Sequence, residues 1–135
     1  MKRAKLELAP RQKGVLYLST ALLWVSGVAW LCLTEENASR PLWMKIHGAA
    51  AMAFLLVFGT LLAQHVPEGW RQERQRPSGI TLVVLGGVLT LTGWGLYYFG
   101  DERLRHWTSL AHGLLGIALP AVIVIHVLQN IGNKN

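Results

Sequence analysis

Four histidines hold most of the chemistry this sequence offers. His47 and His65 stand at the two ends of "HGAAAMAFLLVFGTLLAQH", and His112 and His126 at the two ends of "HGLLGIALPAVIVIH". Neither stretch contains Asp, Glu, Lys or Arg. A neutral imidazole has one N–H to donate and one lone pair to offer, and in apolar surroundings both need partners. No carboxylate lies between the paired histidines to serve, so the partner is either a hydrogen-bonding neighbour or a bound ligand. The spacing is orderly. His47 and His65 are eighteen residues apart, which at about 100° per residue returns to one helix face; the fourteen between His112 and His126 fall about 40° short of whole turns. Each segment, read as a helix, therefore carries a stripe of two histidines.

The elements that must position these stripes follow from charge. The chain has 135 residues, 52% of them apolar, with 13 basic and 7 acidic side chains that fall in clusters. No charged residue lies between Lys13 and Glu35, Lys45 and Glu68, Arg76 and Asp101, or Arg105 and Lys134. About 20 helical residues cross a hydrocarbon core of roughly 30 Å. Four transmembrane helices are predicted, near Val15 to Leu33, Leu42 to Gln64, Ile80 to Phe99 and Trp107 to Ile131. Short connections make sequence neighbours antiparallel, so residues 1–135 read as one all-α domain, an integral membrane four-helix bundle. The first span has a basic flank, but its apolar run is long for a signal peptide and no small-residue cleavage site follows; it is expected to remain as an anchor. Cys32, the single cysteine, permits no internal disulfide and is expected to be a small packing residue within the membrane.

Nine of the basic residues lie in the N-terminal tail, the middle loop and the C-terminus, against four in the other two loops beside Glu35, Glu36, Asp101 and Glu102. By the positive-inside rule both termini are cytoplasmic, in a multi-pass protein of a bacterial-type inner (plasma) membrane. The formal charge of +6 is a topological signal, and no basic stripe is left over for nucleic acid. Trp30, Trp43, Trp94, Tyr97, Tyr98 and Trp107 gather at the expected outer ends of spans, where amphipathic rings meet headgroups.

The two halves resemble each other. At an offset of 65, Gly14 meets Gly79 and His47 meets His112; a shift of four more residues is needed to bring His65-Val66 onto His126-Val127, and Glu35-Glu36 lies near Asp101-Glu102. Either duplication of a helical hairpin or a chance likeness of apolar segments produces such a match. Because helices two and four run the same way, His47 and His112 fall near the outer face, and His65 and His126 near the inner one. Two level pairs result. Imidazole is a common axial ligand to haem iron, with Nε2 on the metal and Nδ1 free to donate to the backbone carbonyl one turn earlier.

Paired histidines at near-matching depth on parallel helices resemble the transmembrane b-type cytochromes, namely the cytochrome b561-like proteins and the haem-carrying bundle of the cytochrome b of quinol-oxidising complexes. That resemblance implies two non-covalent b haems (heme b), one ligated by His47 and His112 and the other by His65 and His126. The eighteen-residue interval before His65 is longer than the one familiar in those families, and His65 stands just before Pro67. Gly14 and Gly27 in helix one, and Gly79 and Gly93 in helix three, resemble the glycines that flank the two haems there; ordinary small-residue packing is the other reading. Pro120 is expected to kink helix four, and His106 to lie at the interface. Arg40, Lys45, Arg103 and Arg105 are candidates to pair with outer propionates, and Arg11, Lys13 and Arg71 with inner ones.

The expected function is electron transfer, by a di-haem membrane cytochrome or a subunit of a larger oxidoreductase complex. Its partners would be membrane lipid, an outer-face c-type or multihaem cytochrome, and the quinone pool or a cytoplasmic-side protein. Three alternatives stay open at this level: a single-haem form using only His47 and His112, a structural subunit, and a metal transporter with histidine pairs. A transporter would place carboxylates, Cys or Met along its path, and these are sparse within the spans.

Overall fold

The computed structural model describes residues 9–71 and 76–132. Every regular element among them is helical: α1 (Pro10–Cys32), α2 (Arg40–Thr60), a π-helical turn (Leu61–His65), α3 (Val66–Arg71), α4 (Arg76–Tyr98) and α5 (Glu102–Gly132). Four continuous helical stretches, Pro10–Cys32, Arg40–Arg71, Arg76–Tyr98 and Glu102–Gln129, are long and apolar enough to cross a membrane. The chain is an all-α, multi-pass membrane protein. It divides into two compact units, one up to Arg76 and one from Pro77 onward. The first contains the α1–α2 hairpin and the second the helical residues of α4 and α5.

The helix ends follow from local chemistry. Pro10 opens α1, where its missing N–H is no loss, and the Ala9 N–H donates to Gln12 Oε1 at 3.2 Å. Between α1 and α2, Asn37 Oδ1 accepts from the Ser39 N–H at 2.9 Å and from its hydroxyl at 2.7 Å, a turn that leads into Arg40-Pro41. Asp101 Oδ1 accepts the Leu104 N–H at 2.7 Å and so caps α5.

Packing within the units has the polarity of a membrane protein. Large apolar side chains such as Leu18, Met52, Leu56, Leu91, Leu114 and Leu128 are exposed, whereas the buried residues include Ser19, Thr20, Ser26, Ser78 and Thr108. In lipid an exposed leucine has nothing to gain by burial, so helices associate through small residues and close backbone approach. Hydroxyls in the spans satisfy themselves on carbonyls of their own helix, as Thr90 does on Gly86 at 2.8 Å and Thr108 on Leu104 at 2.7 Å.

Two boundaries differ from the sequence reading. The second span does not stop at Gln64. Pro67 has no N–H for the preceding turn, and its ring would crowd the carbonyl of Ala63; the chain accommodates it by widening one turn, in which the Val66 N–H bonds the Leu61 carbonyl, and helix then continues to Arg71. Beyond it, Arg76 Nη2 donates to the Trp70 carbonyl at 2.9 Å with its guanidinium 4.9 Å from the Trp70 ring centre. The helix α5 has Pro120 inside its 31 residues and begins at Glu102, five residues before the expected start at Trp107. Cys32 is exposed at the end of α1.

Candidate functional site

Within each unit an imidazole of the second helix meets a hydroxyl of the first. His47 Nδ1 lies 3.0 Å from Ser26 Oγ in the α1–α2 hairpin. In the second unit His112 Nδ1 lies 2.9 Å from Thr92 Oγ1, and His126 Nδ1 lies 2.9 Å from Ser78 Oγ. All three histidines are half-buried, and Ser26 is fully buried at 0% exposure, so the contact at His47 is shielded on its hydroxyl side.

The direction of these bonds follows from counting protons. A hydroxyl has one hydrogen to give. Ser26 directs its hydrogen to the carbonyls of Leu22 and Leu23, and Thr92 directs its own to the Val88 carbonyl at 2.7 Å. Ser78 donates to Gln129 Oε1 at 2.7 Å. Each oxygen keeps a lone pair toward the ring, so the contact accommodates an imidazole that donates from Nδ1. The Leu23 carbonyl, which can only accept, also bonds the His47 ring. An Nδ1–H tautomer leaves Nε2 with its lone pair, on the ring edge turned away from the hydroxyl. Imidazoles so arranged are held in orientation across the hairpin.

Glycine makes the approach possible. A Cβ on Gly27 would stand 3.4 Å from His47 Cε1, one on Gly93 would stand 3.3 Å from His112 Cε1, and one on Gly79 would stand 3.9 Å from His126 Cε1. These are three of the four glycines singled out in the sequence. The side-chain atoms that crowd them are those of the imidazoles. Gly14 has nothing within 4 Å of such a Cβ. Each Nδ1 meets a hydroxyl across the hairpin, and the neighbouring glycine lets the ring come that close.

His65 is different. It ends the π-helical turn, and among the described residues no Ser or Thr hydroxyl meets its ring. The extra residue in that turn also alters its direction: about 100° per residue no longer holds through Leu61–His65, so His65 does not project along the face computed for an unbroken α-helix.

Sequence reasoning missed Ser26, Thr92 and Ser78. The signal was present, since each stands directly before one of the glycines, as "SG", "TG" and "SG". Of the charged candidates, Arg40 stacks 4.1 Å from the Trp30 ring centre and pairs with Glu35 at 3.4 Å. His106 is exposed and lies edge-on to Trp107, as expected for an interfacial residue. Among the described residues no cluster of three or more His, Cys, Asp or Glu forms a metal cage. No protein-family model, curated protein or solved structure matches the chain.

Proposed function

We propose that the protein is a b-type membrane cytochrome that carries single electrons, with haem iron held axially by imidazoles from both hairpins. The observation that supports this reading is the repeated contact between a histidine Nδ1 and a hydroxyl across the hairpin, which holds the His47, His112 and His126 rings in the same manner. The residues fit the group. Bis-imidazole ligation asks for neutral histidines with fixed rings in an apolar setting, and it needs no third protein ligand. When bound, haem supplies the one-electron chemistry; the chain orients the ligands and keeps water away.

On this reading His47 and His112 serve one iron, and His126 with His65 serves a second. The proposed setting is a bacterial-type inner membrane with both termini cytoplasmic, and the proposed partners are an outer-face cytochrome and the quinone pool or a cytoplasmic-side protein. The role proposed is that of a subunit or adaptor within an oxidoreductase assembly.

Reduced-minus-oxidised spectra of protein expressed with haem supplied decide the reading, since the absence of a b-type α band refutes it. Pyridine haemochrome then gives the stoichiometry. A single-haem form is the second reading, favoured because among the described residues no hydroxyl meets His65 and nothing stands within 4 Å of a Cβ built on Gly14. Two haems per chain, with His65→Ala and His126→Ala each removing one and the same haem, support the first; one haem, lost in His47→Ala and His112→Ala and kept in His65→Ala, supports the second. Reporter fusions at each terminus test the orientation.

A further inference from the structure

The α4–α5 hairpin has an open slot between its two helices. Ser78 with His126 and Thr92 with His112 join the helices at two levels, fourteen residues or about 21 Å apart along α4. Between those levels lies a groove of about 450 Å³, walled by Val84, Leu85 and Val88 of α4 and by Leu115, Ala118 and Val122 of α5. Steps of three and four residues put each wall on one helix face. Ala118 stands in the middle of the α5 wall, where its single methyl group leaves the space that a larger side chain would fill. Leu85 is buried and Val84 is exposed, so the groove is closed on one side and open on the other.

The occupant follows from the chemistry of the lining. The volume is that of a small-ligand site, about 300–1,000 Å³, and such sites orient polar ligands by a few well-placed donors and acceptors. Of the lining residues Thr81 alone has a polar side-chain atom, and its hydroxyl donates to the Pro77 carbonyl at 2.9 Å. Water, which needs two or more polar partners, finds no side chain to hold it, and a ring with carbonyl groups would lose its hydrogen bonds on entering. A helix of a second copy is about 10–12 Å across and does not enter a gap between helices whose axes lie about 8–10 Å apart. An unbranched hydrocarbon chain asks only for dispersion contacts along its length. The depth is also right for one. The helix α4 is unbroken from Arg76, the last charged residue before its apolar run, and Ile80 and Val88 line the groove four and twelve residues further on. These positions are about 6 Å and 18 Å along the axis, and half of a bilayer's hydrocarbon core is about 15 Å deep.

We infer that this groove is a binding site for one acyl chain of a membrane phospholipid, retained between α4 and α5 while the surrounding lipid exchanges. The inference does not rest on the haem reading. Native mass spectrometry of the full chain, extracted from membranes and washed in phospholipid-free detergent, reads the bound mass directly. The unmodified protein should retain one phospholipid per chain. Ala118→Phe, filling the groove from α5, and Val88→Phe, filling it from α4, should each lose it. Val124 is 54% exposed and about 200° around α5 from Val122, so Val124→Phe should keep it. A second measurement needs no variant: unmodified protein stripped by excess detergent should rebind dioleoyl phosphatidylglycerol from vesicles and should not bind glycerophosphoglycerol, the same headgroup without its chains. No retained phospholipid in the unmodified protein, equal retention in all three variants, or binding of the chain-free headgroup overturns the proposal. A mass of two protein chains without lipid, lost in the two groove-filling variants, overturns it as well and assigns the groove to a second copy.

Discussion

Replacing Gly93 by valine sets the imidazole of His112 against the backbone of α4. A Cβ at that position would lie 3.3 Å from Cε1 and 3.8 Å from Nδ1 of the ring, and carbon pairs are at rest near 3.5 to 4.0 Å. The first carbon already asks the ring to retreat by a few tenths of an ångström. The two γ carbons reach further, and the ring then has to abandon the 2.9 Å contact with Thr92. Overpacking of this kind costs about 1–3 kcal/mol, and a hydrogen bond between membrane helices is worth about 0.6 kcal/mol. Gly87 on the same helix supplies the control, because a Cβ there meets nothing within 4 Å. Valine replaces glycine in both variants, so the change in intrinsic helix propensity cancels between them. Gly93→Val should therefore be less stable than Gly87→Val by about 2–3 kcal/mol, a factor of roughly 30 to 150 in the folded-to-unfolded ratio. Denaturant unfolding in mixed micelles, followed by tryptophan fluorescence, measures the difference. Equal stabilities, or a Gly87 variant that is the weaker, would refute the claim that the Gly93 site exists to admit the imidazole.

Other regions of the molecule give further expectations. Deleting Ala63 removes the surplus residue of the Leu61–His65 turn and lets α2 continue in α-helical phase, so this variant should accumulate in membranes better than one lacking Met52, in the regular part of α2; the reverse order of yields would show that the wide turn is required. Arg40→Lys loses the planar stacking on Trp30 but keeps the charge, and Arg40→Gln loses both, yet each should change stability by no more than about 1 kcal/mol because the Glu35 partner is 92% exposed. A much larger loss in the unfolding assay would mean that Arg40 holds something further. Asp101→Ala should cost about 1 kcal/mol through the Leu104 N–H at the start of α5, and Asp101→Asn should recover most of it.

What could be read from the sequence was what composition and charge dictate over long stretches. Charge-free runs defined the four spans, with starts set two to five residues inside those of the helices. The histidines were conspicuous because they are ionisable groups in apolar surroundings. The hydroxyls were not, because serine and threonine are common in membrane helices and are satisfied by their own backbone; Thr60, Thr81 and Thr90 do just that, on the carbonyls of Val57, Pro77 and Gly86. Only the juxtaposition of two helices distinguishes Thr92 from Thr90. The π-helical turn was equally hidden. Pro67 predicted an interruption, but whether a proline ends a helix or is absorbed by a wide turn depends on where the next backbone acceptor lies, here the Leu61 carbonyl.

The unequal treatment of the histidines has a geometric origin in the lengths of the helices. In an antiparallel hairpin, residues that face each other have positions that sum to a constant. Ser78 with His126 and Thr92 with His112 both sum to 204, and this works because the fourteen residues between the hydroxyls match the fourteen between the histidines. In the first hairpin Ser26 and His47 sum to 73, so a partner for His65 on the same register would be residue 8. That residue is a leucine and precedes the start of α1 at Pro10. The four additional residues of α2 thus carry His65 past the first turn of the helix that would have supplied its hydroxyl. Glycine cannot compensate, since Gly14 lies one and a half turns inside α1 from that register and nothing packs against it. Shortening α2 by four residues, from Leu61 to Gln64, would bring the histidine to the level of Gln12, and Gln12→Ser with Lys13→Gly would then recreate the Ser78-Gly79 arrangement. If the register argument holds, the combined variant should show an Nδ1–H tautomer at the relocated histidine by 15N NMR, and the deletion alone should not.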